Sequence, residues 1–342
     1  MIVHNLDEFP PPIFLVGPAR SGTTLTAKIL GHHPDVFSPG ETHYFEDIWT
    51  RRDALGDLES EAELSRAADR LMTIFGRFNF PDTQELVDAV IQKETLVDRV
   101  DAAGGGYAGL YRAFTQMLAK SRGKIRICDD TPKHLYYLQA ILDLFPKAKV
   151  IACVRDPRDF LSSYKNYWRR STESERIKSL YHPVITSLLW RSSANALFRH
   201  ARNCCTDRIL LVRYEDLVQN PTYEVKRICD FVGLTYSDDM LAVETHNSSF
   251  DEPSSPGIFT SSVGRWRTSL DPEEVWWVQT VGQQGMRAFG YQEEPVNLSA
   301  IAVFRLFITA PFALGRALHA NARKRGPLLG YIARRARPLI GF

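Results

Sequence analysis

Ile13-Phe14-Leu15-Val16-Gly17-Pro18-Ala19-Arg20-Ser21-Gly22-Thr23-Thr24 is the stretch on which the reading of the remaining chain depends. Its first four residues are continuously apolar, which fits a parallel strand covered on both faces, and Gly17 ends the run. From Thr23 to Leu30 the apolar Leu25, Ala27, Ile29 and Leu30 predict a helix that stops at Gly31. Ser21, Gly22, Thr23 and Thr24 then open its first turn, where backbone N–H groups lack intrahelical acceptors. Those groups and the positive end of the helix dipole converge on one point, and glycine lets an oxyanion approach the backbone there.

The spacing Gly17…Gly22-Thr23-Thr24 follows a Walker A turn except at one place, where Thr23 replaces the lysine that reaches the β- and γ-phosphates. Arg20 is the cation of this turn instead. That exchange disfavours ATP or GTP hydrolysis and points to another phosphate ester.

Pro18 to Thr24 resembles the 5′-phosphosulfate loop of sulfotransferases that use 3′-phosphoadenosine 5′-phosphosulfate (PAPS). Three later segments agree with that family in the same order. They are Val150-Ile-Ala-Cys-Val-Arg155-Asp-Pro-Arg-Asp-Phe-Leu-Ser-Ser163-Tyr164, Leu211-Val-Arg-Tyr214-Glu-Asp-Leu217 and Ser262-Val-Gly-Arg265-Trp266. The likeness covers most of residues 10 to 290. It implies an α/β fold with a central parallel sheet flanked by helices, in the P-loop NTPase-like sulfotransferase architecture. It also implies PAPS as co-substrate, a hydroxyl-bearing acceptor (a carbohydrate, a glycolipid or another small alcohol or phenol) and no metal.

The resemblance assigns residues as well. Arg20, Ser21, Gly22, Thr23 and Thr24 would hold the 5′-phosphosulfate. Arg155 lies just past a predicted strand, 149–154, and Ser163 eight residues on in a helix beginning near Pro157. A guanidinium fork with a hydroxyl suits the 3′-phosphate; otherwise Arg155 caps nearby carbonyls and Ser163 marks a close helix contact. Arg158 is a further contact to that phosphate. Tyr214 would meet the adenine, with a core tyrosine as the competing reading, and Ser262 and Arg265 would complete the nucleotide site, with Trp266 beside them or in the core. Gly40-Glu41-Thr42 is similar to the general-base context of tyrosylprotein and some carbohydrate sulfotransferases, so Glu41 and Arg20 form the catalytic expectation. Glu41 also fits a plain first-turn glutamate complementing the dipole of a helix over 42–50.

One position departs from the family. Asp129-Asp130-Thr131-Pro132 is similar to an element normally written with lysine where Asp130 stands, so Lys133 or the preceding loop is expected to supply that charge. His134 and His43 are alternative bases, with a polar helix surface as the other reading of His134.

The chain has 342 residues, 44% hydrophobic and 24% charged, which fits a globular protein. The division expected is a sulfotransferase domain over 1–295, with a helical insertion at about 42–122, and a basic amphipathic tail over 296–342. Apolar spacing predicts insertion helices at 59–75, 84–93 and 107–119, joined in part by Gly104-Gly105-Gly106 and roofing an acceptor pocket. Further helices are predicted at 133–144 and 182–203, and a lid-like loop at 245–262. Cys128, Cys153, Cys204, Cys205 and Cys229 show no zinc-knuckle spacing and read as reduced thiols.

The net charge of +2 hides an asymmetry, since residues 296–342 contain eight Arg and Lys and no acid, leaving the rest net negative. No nucleic-acid footprint covers the main body. The stretch 298–317 is apolar but interrupted by Arg305, Pro311 and Arg316, a poor membrane span. Two readings stay open for 298–342: contact with a membrane surface, or packing on its own domain or a second subunit. The first twelve residues contain Asp7, Glu8 and a proline run, unlike a signal peptide, which predicts a cytoplasmic chain, peripheral at the membrane if the tail engages one. Two other function classes compete: a nucleotide-dependent kinase or hydrolase on the same turn, and a non-catalytic member that binds nucleotide or membrane.

Overall fold

The computed structural model describes residues 9–78, 87, 90–167, 178, 181–203, 207–243 and 257–325. Five parallel strands form its sheet: β1 (Ile13–Val16), β2 (Val36–Phe37), β3 (Arg126–Asp129), β4 (Lys149–Val154) and β5 (Ile209–Arg213), in the order β2-β3-β1-β4-β5. Ile13 stands beside Cys128 on one side and Lys149 on the other, and Val150 beside Ile209. The central strand β1 is wholly buried, as its unbroken apolar run requires.

Alternation along the strands feeds two cores. Phe14, Val16, Val150, Ala152 and Val154 face a cluster built largely from α3 (Glu61–Phe78), α5 (Gly106–Ser121), α6 (Leu138–Leu144) and α8 (Pro183–Asn203). Ile13, Leu15, Ile151 and Cys153 face α1 (Thr23–Gly31) and α10 (Pro221–Val232). Full burial of a side chain such as Phe14 stabilises by about 1.5–3 kcal/mol. Gly17 leaves β1 where the strands are closest: a Cβ there would sit 2.1 Å from the Cys153 carbonyl oxygen.

Other helices are α2 (Tyr44–Asp47), α4 (Lys93–Val100), α7 (Pro157–Asn166), α9 (Tyr214–Gln219), α11 (Pro272–Ala288) and α12 (Ala300–Arg325), with single helical turns at Arg52–Leu55 and Trp266–Ser269. The helix expected over 42–50 is only α2 followed by a 3-10 turn at Trp49–Arg51, and that expected over 133–144 opens as a 3-10 turn, Pro132–Tyr137, before α6. Gly104 and Gly105, both with positive φ, separate α4 from α5, and Gly106, also with positive φ, opens α5. Half of the predicted 84–93 helix and most of the 245–262 loop lie outside the described residues, and the last residue of that helix, Lys93, opens α4. At α11 the predicted start is fully formed, as a capping box of Asp271 and Glu274 with Pro272 in the first turn. Buried Cys128, Cys153 and Cys229 are unpaired thiols, and burial pushes Cys153 up to about 12.

Candidate active site

The chain leaves β1 toward β2 on one side and leaves β4 toward β5 on the other, so their adjoining carboxyl ends form a topological switch point. Both halves of the predicted nucleotide site start there. After β1 the chain turns through Arg20, whose φ of 68° is left-handed, and Gly22, whose φ is 95°. Such a conformation at arginine is strained by on the order of 1–3 kcal/mol. It lies in the anion turn, where it points the Arg20 side chain at α7.

Arg20 Nε donates to Ser163 Oγ at 3.3 Å, and Arg155 Nη1 donates to the Arg20 carbonyl at 3.3 Å. Arg155 Nη2 donates to the Ser262 carbonyl at 2.7 Å, and its guanidinium lies 4.4 Å over the Tyr214 ring. Tyr214 and Ser262 close the circle through their hydroxyls, 2.6 Å apart. Gly22 is needed at the centre, because a Cβ there would come within 2.7 Å of the Tyr214 ring. Arg20, Gly22, Arg155, Ser163, Tyr214 and Ser262 therefore form one cluster. Arg265 stands at its edge, donating from Nε to the Ser261 carbonyl at 2.8 Å.

Among the described residues, two polar atoms inside this cluster are buried without a hydrogen-bond partner: Ser21 Oγ and Arg155 Nε. Burial pushes the Arg20 guanidinium below its ordinary value, and nearby Arg155 acts in the same direction. Two close cations, orphaned donors and the open N–H groups at the start of α1 share one remedy, a bound anion. The Ser21 N–H is not among the open donors, since it bonds the Pro18 carbonyl at 3.2 Å; Thr23 and Thr24 in the first turn remain. These features fit the 5′- and 3′-phosphates of a PAPS-like nucleotide.

Glu41 comes from the loop after β2 and keeps 40% of its side chain exposed, while burial of the rest raises its carboxyl above the ordinary value. Its Oε2 lies 3.2 Å from His43 Nε2, and His43 Nδ1 lies 2.9 Å from Glu46. Lys133 Nζ donates to Glu46 Oε1 at 3.0 Å, so it is engaged on this carboxylate. His134 is wholly buried, its Nε2 accepting from the Phe45 N–H at 3.4 Å and its Nδ1 3.5 Å from Asp129. Burial lowers its pKa, and it serves neither as a polar helix surface nor as an accessible base. Arg158 likewise turns away from the phosphate cluster: it pairs with Asp156 at 2.6 Å, donates to Gln279 and stacks over Trp266.

Several carboxylates that the sequence did not mark hold the cluster in place. Asp129, fully buried, accepts from Thr42 and Thr131 at 2.6 Å each and from Tyr111 at 3.1 Å, tying the Glu41 loop to β3. Asp159 accepts the N–H groups of Gly264 and Trp266, which fixes the segment carrying Ser262 and Arg265. Glu215 accepts the Asp156 N–H at the start of α7 and the Tyr291 hydroxyl. The available signal was their place, immediately after strand ends or within the matched motifs.

Asp130 occupies the place expected for lysine, buried at the end of β3, where the nearby Pro132 carbonyl accepts the Gly17 N–H at 3.1 Å. Burial, then Glu41 and Asp129, push its carboxyl up to about 8. A carboxyl raised that far carries less negative charge near pH 7 than an ordinary aspartate. A group whose folded pKa is raised binds its proton more tightly in the folded state. Its contribution falls by about 1.4 kcal/mol per pH unit as pH rises from ~4 through the folded value. Asp130→Asn is expected to flatten the loss of melting temperature between pH 5 and 8.5; thermal unfolding across that range checks it, and unchanged curves would show Asp130 ionised throughout.

Comparison with known proteins places these features in context. A model described as "Sulfotransferase family" matches residues 11–238. Nodulation protein NoeE of Sinorhizobium fredii is 26% identical over 316 residues, 85% of this chain and 68% of that protein. A protein-tyrosine sulfotransferase of Drosophila melanogaster is 26% identical over 264 residues, and the chain spans less than half, 45%, of its length. Sulfotransferase 2A1 of Rattus norvegicus is 30% identical across 51% of this chain and 68% of its own. Among solved structures, the sulfotransferase domain from the Synechococcus PCC 7002 olefin synthase superposes with a TM-score of 0.54 at 24% identity, covering 84% of this chain and 97% of that domain. Its likeness bears on the fold.

Proposed function

The chain belongs to the sulfotransferase family, and from that premise we propose that it moves a sulfuryl group from PAPS to a hydroxyl of an acceptor, with Glu41 taking the acceptor proton. The observation that carries this reading is the meeting of Arg20, Arg155 and Ser163 at the open start of α1, with Ser21 Oγ and Arg155 Nε buried and unpartnered among the described residues. Sulfuryl transfer needs a group to accept the hydroxyl proton and donors to stabilise charge growing on the departing 5′-phosphate. Arg20 with the N–H groups and hydroxyls of Thr23 and Thr24 would meet the second need. Arg155 and Ser163 would bind the 3′-phosphate that distinguishes PAPS from ATP, with Tyr214 beside the adenine and Ser262 and Arg265 closing the site. Asp130 offers no cation at the family's lysine position, so Arg20 would make the leaving-group contact.

Acceptors of phenol type are supported by the protein-tyrosine sulfotransferase among the relatives, and carbohydrate or glycolipid hydroxyls remain within the same chemistry. Thermal unfolding with 3′-phosphoadenosine 5′-phosphate (PAP), with ATP and AMP as controls, tests the nucleotide assignment without knowledge of the acceptor. At ~100 times its dissociation constant PAP is expected to stabilise the protein by about 2.7 kcal/mol. A preference for ATP would favour the kinase or hydrolase reading. No shift with any nucleotide would overturn the site assignment.

A further inference from the structure

Helix α12 (Ala300–Arg325) is packed on one side and apolar on the other. Leu306 and Ala313 are buried, Phe307 meets the Trp277 ring at 4.9 Å, and Thr309 Oγ1 lies 3.0 Å from His182 Nε2. These contacts seat it on α8 and α11. The opposite stripe follows helical spacing through Ile301, Phe304, Ile308 and Phe312, which are 67%, 65%, 51% and 70% exposed. Such residues share one face, extending over roughly 16 Å at 1.5 Å per residue. Arg305 and Arg316, eleven residues apart, lie along one border of the stripe, and both are exposed.

We propose that this stripe is a docking surface for the headgroup region of an anionic lipid bilayer, with α12 lying in the membrane plane. Two observations choose this occupant over a second copy of the chain. The described charges bordering the stripe, Arg305 and Arg316, are both positive, and residues 296–342 contain no acid with which a second copy could pair them, whereas an anionic surface complements them. Large aromatic and branched side chains are spaced along a helix that no stretch of described residues makes long and apolar enough to cross a membrane. Exposed Phe and Ile with arginine at the border is the composition of a helix resting in the interface. The inference does not depend on the nucleotide site, and its test needs no catalysis.

Co-sedimentation of the full chain with phosphatidylcholine vesicles, with and without 30% phosphatidylserine, reads the partition directly. Binding is expected with the anionic vesicles, weakened by 0.5 M salt as Debye screening requires. Arg305→Gln with Arg316→Gln should lower it by roughly 30-fold, from about 1 kcal/mol per basic residue at a charged surface. Phe304→Ser with Phe312→Ser should lower it at least about tenfold, with thermal unfolding showing that both variants stay folded. No sedimentation of the wild-type chain with anionic vesicles would overturn the proposal, as would unchanged binding of the folded variants. Sedimentation velocity without vesicles covers the rival occupant: a dimer that the Phe304/Phe312 variant dissociates would assign the stripe to a second copy.

Discussion

Replacing Glu41 with glutamine is expected to lower the turnover number for sulfuryl transfer by roughly 10²–10⁴-fold, the range for a positioned acid–base group, while PAP affinity stays within a few fold. Glutamine keeps the shape of the side chain and removes the proton acceptor. The position suits that role, since the carboxylate is part-exposed and so open to a hydroxyl, and His43 Nε2 at 3.2 Å orients it. Burial raises its carboxyl above the ordinary value, with Glu46 and Asp129 adding to the direction and His43 and Lys133 opposing it. The base must be ionised to act, so the rate falls as pH drops through that raised value, and the glutamine variant should lose this acid limb. Steady-state rates across pH, with PAP binding measured alongside, check both parts. Near-normal turnover would pass the role to His43, because His134 is wholly buried and its Nε2 already accepts the Phe45 N–H.

The sequence made β1, the turn after it and the helix that carries Ser163 readable because each depends on local pattern. An apolar run, a glycine and a following amphipathic helix are determined within a dozen residues. The family likeness implied a parallel sheet, whereas its strand order, β2-β3-β1-β4-β5, is seen only in the fold. What escaped reading was set by tertiary contact. His134 looked like helix surface because its neighbours Lys133 and Tyr136 are polar-tipped, yet the Phe14 and Phe45 rings enclose it. Asp129 and Asp130 are adjacent and chemically identical in sequence. In the fold one is saturated with donors and the other is pushed toward neutrality, a difference created only when β3 is laid beside β1. Arg155 and Arg158 sit three residues apart in one motif, and only the fold shows that Asp156 and Gln279 draw the second away.

Replacing Arg155 with alanine is expected to weaken PAP binding by roughly 10²-fold, as loss of a charge-assisted phosphate contact in a desolvated site does. The interpretation needs a control, because Arg155 also holds structure through the Arg20 and Ser262 carbonyls and the Tyr214 ring. AMP supplies it, since it carries a 5′-phosphate and no 3′-phosphate. If Arg155 binds the 3′-phosphate, the variant loses its preference for PAP over AMP while AMP affinity changes little. Arg155→Lys should recover part of the preference, because it keeps the charge but not the planar fork. Calorimetric titration of wild type and both variants with the two nucleotides measures each term. Equal losses for PAP and AMP would mean that Arg155 acts by shaping the loop at Ser262, and the 3′-phosphate would then have to be placed elsewhere, with Arg265 the nearest remaining guanidinium on that segment.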